Sequence, residues 1–377
     1  MIYLTYKINP QKHIRQEDLF DIILNDKEAP KTKNLQYTEH TTILVEHVVE
    51  TKFNQYQCKV LYGKLKQLVD SELYKQLIAE GVDNHYTTFK IPKNSGGYRT
   101  IEAPDTELKT VLKMVKDIMQ NDCQIIPHNA AFAYIPKRST VDALKKHQYN
   151  KSRHYLHLDL KDFFTSCDAE FIHKQLKQIF PFSYLYDFED GKELLTKVVN
   201  LALYKGHLPQ GTPLSPYLTN LLMVPIDYAL NNLCKQRNKQ HFVYTRYADD
   251  IDISSVYEFD YKKLLKEIEQ ILQKQTPLKI NYKKVHYGTT AGQNWHLGLI
   301  INKENKISIG NRRKRELKVT LLNYCKHKAD WSKEDKQSFR GELAYFRNIE
   351  PDYHDYLIKK YSDKYNNGVS IISELQK

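Results

Sequence analysis

The amino-acid sequence predicts an α+β fold, and three observations support this prediction. Short segments of alternating apolar and polar residues, typical of β-strands, recur along the chain. Amphipathic segments with helical spacing lie between them. The two kinds of segment do not follow the regular strand–helix–strand rhythm of a parallel sheet. With 377 residues, of which 41% are apolar, the chain is long enough for roughly two or three subdomains with substantial cores.

Helices are predicted where apolar residues recur at intervals of three and four. The clearest case is the segment 260–275, whose apolar residues share one face (Leu264, Leu265, Ile268, Ile271 and Leu272). In chain order, the expected helices are 62–81 with its end at Gly81, 106–120, one that begins near 141, 214–223, 260–275, and a basic helix from 311 onward.

Strands are predicted where apolar and polar residues alternate. Residues 154–167 alternate Leu156, Leu158 and Leu160 with polar residues, which favours a strand. In chain order, hairpins are expected at 86–103 with a turn at 94–97, at 242–254 with a turn at Asp249 and Asp250, and at 295–310 with a turn at 303–305.

The composition restricts the possible partners and compartments. The net charge of +12 favours a polyanionic partner, and the 28 tyrosines could stack on nucleic-acid bases or could simply be core and surface aromatics. Five single cysteines without a CxxC pair argue against a disulfide framework and against a structural zinc site. No apolar run approaches the roughly 20 residues of a membrane span, and the N-terminus lacks a signal-peptide pattern. We therefore expect a cytoplasmic protein without a membrane partner.

Three carboxylates are candidates for a metal site. Asp249 and Asp250 are adjacent, and two like charges in a hairpin turn are tolerated only if solvent or cations neutralise them. If the strand that contains Asp159 lies beside this hairpin, the three carboxylates converge. A cluster of hard oxygen ligands favours Mg²⁺, and two such ions would activate a 3′-hydroxyl and stabilise a leaving pyrophosphate. The alternative is a solvated Asp pair in an ordinary turn.

Several motifs resemble, in the same order, those of one known family. In chain order they are IPKNSGGYRTIEAPDTELK (91–109), AFAYIPKRSTVDALKKH (131–147), LDLKDFF (158–164), LPQGTPLSPYLTNLL (208–222), YADD (247–250), INYKKV (280–285), HLGLIIN (296–302) and SFRGELAYFRNIEP (338–351). This ordered set resembles the bacterial reverse transcriptases that include retron, group II intron and phage-defence enzymes.

The chain departs from the retron pattern at two places. Asp142, in DALKKH, stands where retron enzymes carry the Asn of an Asn-Ala-x-x-His element, and WHLGLI replaces a Val-Thr-Gly segment. A phage-defence or abortive-infection type therefore fits about as well as a retron enzyme.

The resemblance implies a right-hand polymerase fold with fingers, a palm built on an antiparallel sheet, and a helical thumb. The implied divisions are an N-terminal extension at 1–80, fingers at 81–153, a palm with fingers insertions at 154–302, and a thumb with the C-terminal tail at 303–377.

The resemblance also implies a catalytic centre. Asp159 and Asp249 would be the metal ligands, Asp250 would be the neighbouring carboxylate that supports the site and its metals, and the Leu160 backbone carbonyl would add a further oxygen ligand. The expected ions are two Mg²⁺, with Mn²⁺ as a possible substitute. Asp252, two residues beyond Asp250, is expected to be a surface charge.

Three basic residues match the nucleotide-binding positions of the family. Lys93 and Arg99, near the tip of the first hairpin, would bind the incoming triphosphate, with Arg99 as the bidentate ligand. Lys284 would donate a proton to the departing pyrophosphate. The alternative is that all three are ordinary exposed charges.

Four further residues match positions that contact the nucleotide or the primer. Phe164 would exclude a 2′-hydroxyl and so select deoxynucleotides, whereas Phe163 is expected in the core. Gln210 would hydrogen-bond the sugar or base, and Gly211 would let the backbone approach the nucleotide closely. Tyr247 is expected near the primer end. Core packing and an ordinary turn are the alternatives for Phe164 and for the Gln210–Gly211 pair.

The basic segment in the predicted thumb would follow the template–primer backbone. Its residues are Arg312, Arg313, Lys314, Arg315 and Lys318. A solvated helix face is the alternative.

The predicted function is RNA-directed DNA synthesis, with dNTPs as substrates and a dedicated non-coding RNA, in defence against phage. The partners would be RNA, the DNA product and a separate effector protein or second polymerase subunit. Two alternatives stay open: template-independent or protein-primed DNA synthesis of the abortive-infection type, and an RNA-binding, maturase-like scaffold.

Overall fold

The computed structural model describes residues 56–92, 96–123, 125–237, 241–290 and 298–375. Within these ranges it confirms the mixture of helices and antiparallel strands that the sequence predicts. Lys93 lies outside the described residues. None of the helices in these ranges combines the length and the apolar content that crossing a bilayer requires.

The helix predicted at 62–81 is two helices. Helix α1 covers 56–69, and α2 covers Glu72–Glu80. The break falls at Ser71, whose hydroxyl caps α2 by accepting from the Tyr74 amide, at 3.3 Å. Gly81 ends α2 at a φ of +85°, as predicted.

The first hairpin forms where the sequence predicts it. Strand β1 (Tyr86–Pro92) pairs with β2 (Tyr98–Pro104) in antiparallel register, with Tyr86 opposite Pro104. Helix α3 (Thr106–Asp117) follows directly, because the Asp105 carboxylate caps it by accepting from the Leu108 amide, at 2.9 Å.

The central element is a five-stranded antiparallel sheet in the order β4-β5-β3-β6, with β7 also paired to β3. In chain order its strands are β3 (His154–Lys161), β4 (Val243–Tyr247), β5 (Asp250–Ser255), β6 (Lys279–Ile280) and β7 (His286–Thr289). Strand β3 buries Leu156, Leu158 and Leu160, as the alternation predicts, but Tyr155 and Asp159 on the other face are buried too. Both faces of the sheet are therefore covered in this region.

Helices pack against this sheet and share one large core with it. Helix α4 (Thr140–Tyr149) lies against the sheet through His147, which contacts Ser254 and Thr245. The helices that share the core with the sheet are, in chain order, α5 (Ala169–Leu176), α6 (Phe182–Leu185), α7 (Gly191–Ala202), α8 (Ser215–Leu222), α9 (Val224–Gln236) and α10 (Tyr261–Gln275), besides α1 to α3. Helix α10 buries Leu264, Leu265, Ile268 and Leu272, which confirms the face predicted from its spacing, while Ile271 is partly buried. Four of the five cysteines are buried and all five are free.

The C-terminal residues form a second core. The hairpin of β8 (Ile300–Ile301) and β9 (Ile307–Ser308) has the predicted turn and leads into four helices. These are α11 (Gly310–Lys326), α12 (Lys333–Ile349), α13 (Pro351–Tyr365) and α14 (Ile371–Leu375). Leu144 of α4 and Tyr155 of β3 also pack into this core, so the C-terminal helices contact α4 and the sheet.

A fully buried ion pair joins helix α9 to the sheet. Arg246 of β4 donates two hydrogen bonds to the two carboxylate oxygens of Asp227, each at 2.8 Å, and neither side chain is exposed. The other terminal nitrogen of Arg246 donates to Asn220 of α8 and to the Ala248 carbonyl, each at 3.0 Å. This network satisfies a charge that would otherwise be costly to bury.

We expect Asp227→Asn to lower the free energy of unfolding by about 3 kcal/mol or more, because it leaves Arg246 buried without a counter-charge. Chemical denaturation measures this change. Glu193→Gln is the matched control, since it removes an exposed ion pair with Lys197 (2.7 Å) and should cost less than about 1 kcal/mol. Equal losses in the two variants would contradict the role given to the buried pair.

Candidate active site

The second hairpin carries two of the three candidate carboxylates. Tyr247 lies opposite Asp250 in the register of β4 and β5, so the loop consists of only Ala248 and Asp249. Ala248 has a φ of +58°, and its carbonyl accepts from the buried Arg246. The Arg246–Asp227 ion pair therefore fixes the backbone of this loop, and with it the positions of Asp249 and Asp250.

Strand β3 brings the third carboxylate to this loop. Asp159 lies directly opposite Asp250 in the antiparallel register, and the Leu160 amide donates to the Asp249 carbonyl at 3.0 Å. The sequence motifs at 159 and at 249–250 are thus neighbours in the sheet. The predicted convergence of the three carboxylates required the strand that contains Asp159 to lie beside this hairpin, and it does.

The carboxylates repel one another in a buried setting. Burial raises the pKa of Asp249, with a contribution from Asp159, while Lys284 and Arg99 oppose the rise. Burial and the neighbouring Asp249 raise the pKa of Asp250 to about 7. Carboxylates in such a position are stabilised by an added cation, and their hard oxygen atoms suit a divalent ion.

Two polar side chains hold Asp159. Lys284, at the end of the short turn Tyr282–Lys284, donates to Asp159 Oδ2 at 2.6 Å, and Asn281 donates to Oδ1 at 2.9 Å. In this arrangement the oxygens of Asp159, Asp249 and Asp250 are not all within 4.8 Å of one another. Asp159 is therefore paired with Lys284 and Asn281 in this arrangement.

The expectation that Asp252 is a surface charge is wrong. It is 2% exposed, because β5 lies between β3 and β4. Its Oδ1 lies 2.8 Å from His157 Nδ1, and His157 Nε2 is 3.5 Å from Asp250. Burial lowers the pKa of His157, but the hydrogen bond to Asp252 and the nearby Asp250 outweigh it and raise the pKa to about 9. Sequence reasoning missed His157, although it is two residues before Asp159 and so on the same face of the strand.

The Gln210–Gly211 turn is attached to the first hairpin. The Glu102 amide donates to the Gln210 carbonyl at 2.7 Å, and the Gln210 amide donates to the Glu102 carboxylate at 3.2 Å. Gly211 has a φ of +137°, and a Cβ there would be 2.8 Å from the Glu102 carbonyl oxygen. The turn thus requires a glycine for close packing against β2. Glu102 also was missed, because nothing local in the sequence indicates this contact.

The other predicted residues differ in their exposure and in their distance from the carboxylates. Arg99 is exposed on β2 opposite Ile91, close enough to influence the pKa of Asp249. Phe163 is in the core, as predicted, and Phe164 is half-buried with its ring 5.7 Å from that of Phe163. Tyr247 is partly buried at the end of β4. These residues lie around the carboxylates or on the elements next to them.

The basic segment lies on α11, but its residues have different environments. Arg312 and Arg315 are exposed, and Arg312 pairs with Glu316 on the same helix, at 2.9 Å. Lys314 pairs with Glu350 at 2.5 Å, so this lysine attaches α11 to the start of α13. Arg313 and Lys318 are half-buried over the rings of Tyr345 and Tyr353. Only part of the predicted basic surface is therefore free to meet a partner.

An antiparallel sheet in which one strand brings a carboxylate beside two carboxylates of a neighbouring hairpin, together with the β1–β2 hairpin and a C-terminal helical unit, is the arrangement of a palm-type nucleic-acid polymerase. The chain belongs to the reverse transcriptase (RNA-dependent DNA polymerase) family, whose model matches residues 91–321. As a member of this family it is a divalent-metal-dependent polymerase that uses an RNA template and dNTPs.

Two retron reverse transcriptases agree with this assignment. The chain is 31% identical to retron Ec83 reverse transcriptase from Escherichia coli, over 77% of this chain and 91% of that protein. It is 30% identical to retron Ec73 reverse transcriptase from the same organism, over 72% and 85% of the two chains. Among solved structures it is similar to telomerase from Candida albicans, with a TM-score of 0.43, 11% identity, and coverage of 81% of this chain and 70% of that one.

We expect Gly211→Ala to destabilise the protein more than Gly206→Ala does. Both glycines have a positive φ, which costs about 1 kcal/mol or more for alanine, but only Gly211 also faces a backbone carbonyl at 2.8 Å. Gly206 has no atom within 4 Å of an added Cβ and is therefore the control for backbone strain alone. Chemical denaturation of the two variants measures the difference, and equal effects would contradict the close packing described for Gly211.

Proposed function

We propose that this reverse transcriptase synthesises DNA at the site formed by Asp159, Asp249 and Asp250. The observation that carries the proposal is the register that sets Asp159 opposite Asp250 beside the Asp249 loop. Two Mg²⁺ ions, or Mn²⁺ in their place, would activate the primer 3′-hydroxyl and stabilise the leaving pyrophosphate. Asp159 and Asp249 supply the principal oxygen ligands, Asp250 supports them, and the Leu160 carbonyl is available as a further ligand.

Basic residues around the carboxylates bind the triphosphate in this proposal. Arg99, exposed on β2 with an electrostatic influence on Asp249, suits a bidentate phosphate contact. Lys93, which directly follows β1 in the sequence, would supply a second positive charge. Lys284 donates a hydrogen bond to Asp159, which raises the pKa of Lys284, and its ammonium group would protonate the departing pyrophosphate.

The same proposal assigns contacts with the sugar and the primer. Phe164 presents a half-exposed ring that would collide with a ribose 2′-hydroxyl. Gln210 and Gly211 form a turn fixed to β2, which suits a platform for the nucleotide. Tyr247, next to the catalytic loop, contacts the primer end.

We divide the chain into fingers at 81–153, palm at 154–302 and thumb at 303–377, with 1–80 as an N-terminal extension. The separate core of the C-terminal helices supports a distinct thumb. The exposed face of α11 with Arg312 and Arg315 would follow the template–primer backbone, with Arg313 and Lys318 at its margin.

The biological role proposed is synthesis on a dedicated non-coding RNA in defence against phage, with a separate effector protein or a second polymerase subunit as partner. The similarity to retron reverse transcriptases supports the dedicated RNA. Sequencing the DNA that copurifies with the protein tests it. One defined sequence complementary to a co-bound RNA is expected, whereas DNA of random sequence or DNA linked to a protein hydroxyl would favour the template-independent or protein-primed alternative.

We expect Asp249→Asn to abolish dNTP incorporation on an RNA template while RNA binding is retained, because the change removes one ligand charge and little volume. Primer extension and a filter-binding assay measure the two properties. Asp260→Asn is the matched control, since Asp260 caps α10 and asparagine caps a helix equally well. If the wild-type protein binds RNA but incorporates no dNTP, the maturase-like scaffold is the better assignment.

We expect Phe164→Ala to raise the efficiency of ribonucleotide use relative to deoxynucleotide use by on the order of tenfold or more, because the shorter side chain leaves room for the 2′-hydroxyl. Steady-state kinetics with dGTP and GTP measure the ratio. Phe163→Leu is the control, since Phe163 is 3% exposed and its loss should reduce stability without changing the sugar preference. An unchanged ratio in Phe164→Ala would assign Phe164 to core packing.

A further inference from the structure

A second cluster of potential metal ligands lies at the base of the first hairpin. Among the described residues, one ligand atom each of Glu80, His85 and Glu107 lie within 4.8 Å of one another. Glu80 ends α2, His85 immediately precedes β1, and Glu107 is in the first turn of α3. The cluster therefore connects α2, the segment before β1 and the start of α3, at the base of the hairpin.

His85 is oriented as a metal ligand. It is 8% exposed, and its Nε2 is buried without a hydrogen-bond partner. Nε2 lies 3.2 Å from Glu80 Oε2, without the geometry of a hydrogen bond. On the other side of the ring, Nδ1 is 2.7 Å from Asp105 Oδ2. A proton on Nδ1, hydrogen-bonded to this carboxylate, leaves the Nε2 lone pair directed at Glu80 Oε2.

The surrounding groups hold these ligands in place. The other oxygen of Asp105 accepts from the Leu108 amide at 2.9 Å, so the carboxylate that orients His85 is itself fixed at a helix N-terminus. The Gln76 side chain donates to Glu80 Oε1 at 2.9 Å, which leaves Oε2 facing His85. A carboxylate that orients a histidine, which in turn faces further ligands, is the usual second layer of a zinc site.

The spacing and the charge both suit a small divalent cation. Two ligands about 2.0–2.1 Å from a tetrahedral zinc ion are about 3.3 Å apart, close to the 3.2 Å between Nε2 and Glu80 Oε2. Glu80, Asp105 and Glu107 bring three carboxylates to one imidazole, and no lysine or arginine of the described ranges pairs with any of them. One nitrogen and two oxygens favour Zn²⁺ over Mg²⁺, which prefers oxygen ligands alone.

We propose that Glu80, His85 and Glu107 bind a structural zinc-type divalent ion, separate from the polymerase centre, which fixes the base of the β1–β2 hairpin. None of its residues belongs to the polymerase site, but the hairpin that it would fix carries Arg99 and Glu102. The absence of paired cysteines does not bear on this site, because its ligands are histidine and glutamate.

Calorimetric titration with Zn²⁺ tests the proposal. The protein is full-length, free of a histidine tag, and carries Asp159→Asn, Asp249→Asn and Asp250→Asn so that the polymerase centre does not contribute. One Zn²⁺ per chain is expected. Adding Glu107→Gln, or Asp105→Asn, should weaken binding by about tenfold or more. Asparagine preserves the cap of α3, and Glu107 is exposed, so both variants should fold.

Glu72→Gln is the matched control, because Glu72 is an exposed carboxylate in the first turn of α2 that pairs only with Lys75, at 2.8 Å. It should leave Zn²⁺ affinity unchanged. X-ray absorption at the zinc edge should show nitrogen and oxygen ligands without sulfur, and Zn²⁺ should slow hydrogen exchange of the β1–β2 amides. The proposal is overturned if no saturable binding occurs, if Glu107→Gln and Asp105→Asn bind as tightly as the control, or if the ligands include sulfur.

Discussion

The hairpin that carries Asp249 and Asp250 depends on one buried interaction, the ion pair of Arg246 with Asp227. Both side chains are without solvent exposure, and the guanidinium also binds Asn220 and the Ala248 carbonyl. A buried charge of this kind is tolerated only when every donor has a partner, so the positions of α8, α9 and β4 are coupled. The loop of Ala248 and Asp249 rests on this network, and the geometry of the carboxylates above it follows.

Above the network, the active centre is a balance of charges. Burial and mutual repulsion raise the pKa of Asp249 and Asp250, while His157, Lys284 and Arg99 partly compensate. The negative charges of the carboxylates are only partly compensated by these residues. Added cations would therefore stabilise the site, as expected for a metal-dependent polymerase. The whole chain has a net charge of +12, which favours a polyanionic partner, whereas the proposed reaction site is a local concentration of negative charge.

The first hairpin is attached both to the Gln210–Gly211 turn and to the helix that follows it. Glu102 holds the Gln210–Gly211 turn through backbone and side-chain hydrogen bonds, so this turn is attached to β2. At the same end of the hairpin, Asp105 Oδ2 lies 2.7 Å from His85 Nδ1, and Asp105 also caps α3. The hairpin is therefore attached at its base, whereas Arg99 lies near its tip.

Local sequence determined the type of most elements, because turn residues and apolar periodicity act over short distances. The proposal of Asp159, Asp249 and Asp250 as site residues, and of different roles for Phe163 and Phe164, came from the ordered motifs and their resemblance to a family. Only the tertiary structure decided that Asp252 is buried against His157, that Glu102 supports Gly211, and that His85 faces Glu80. These contacts depend on strand register and helix packing between segments that lie on different elements, and a periodic pattern defines a buried face without specifying its partner.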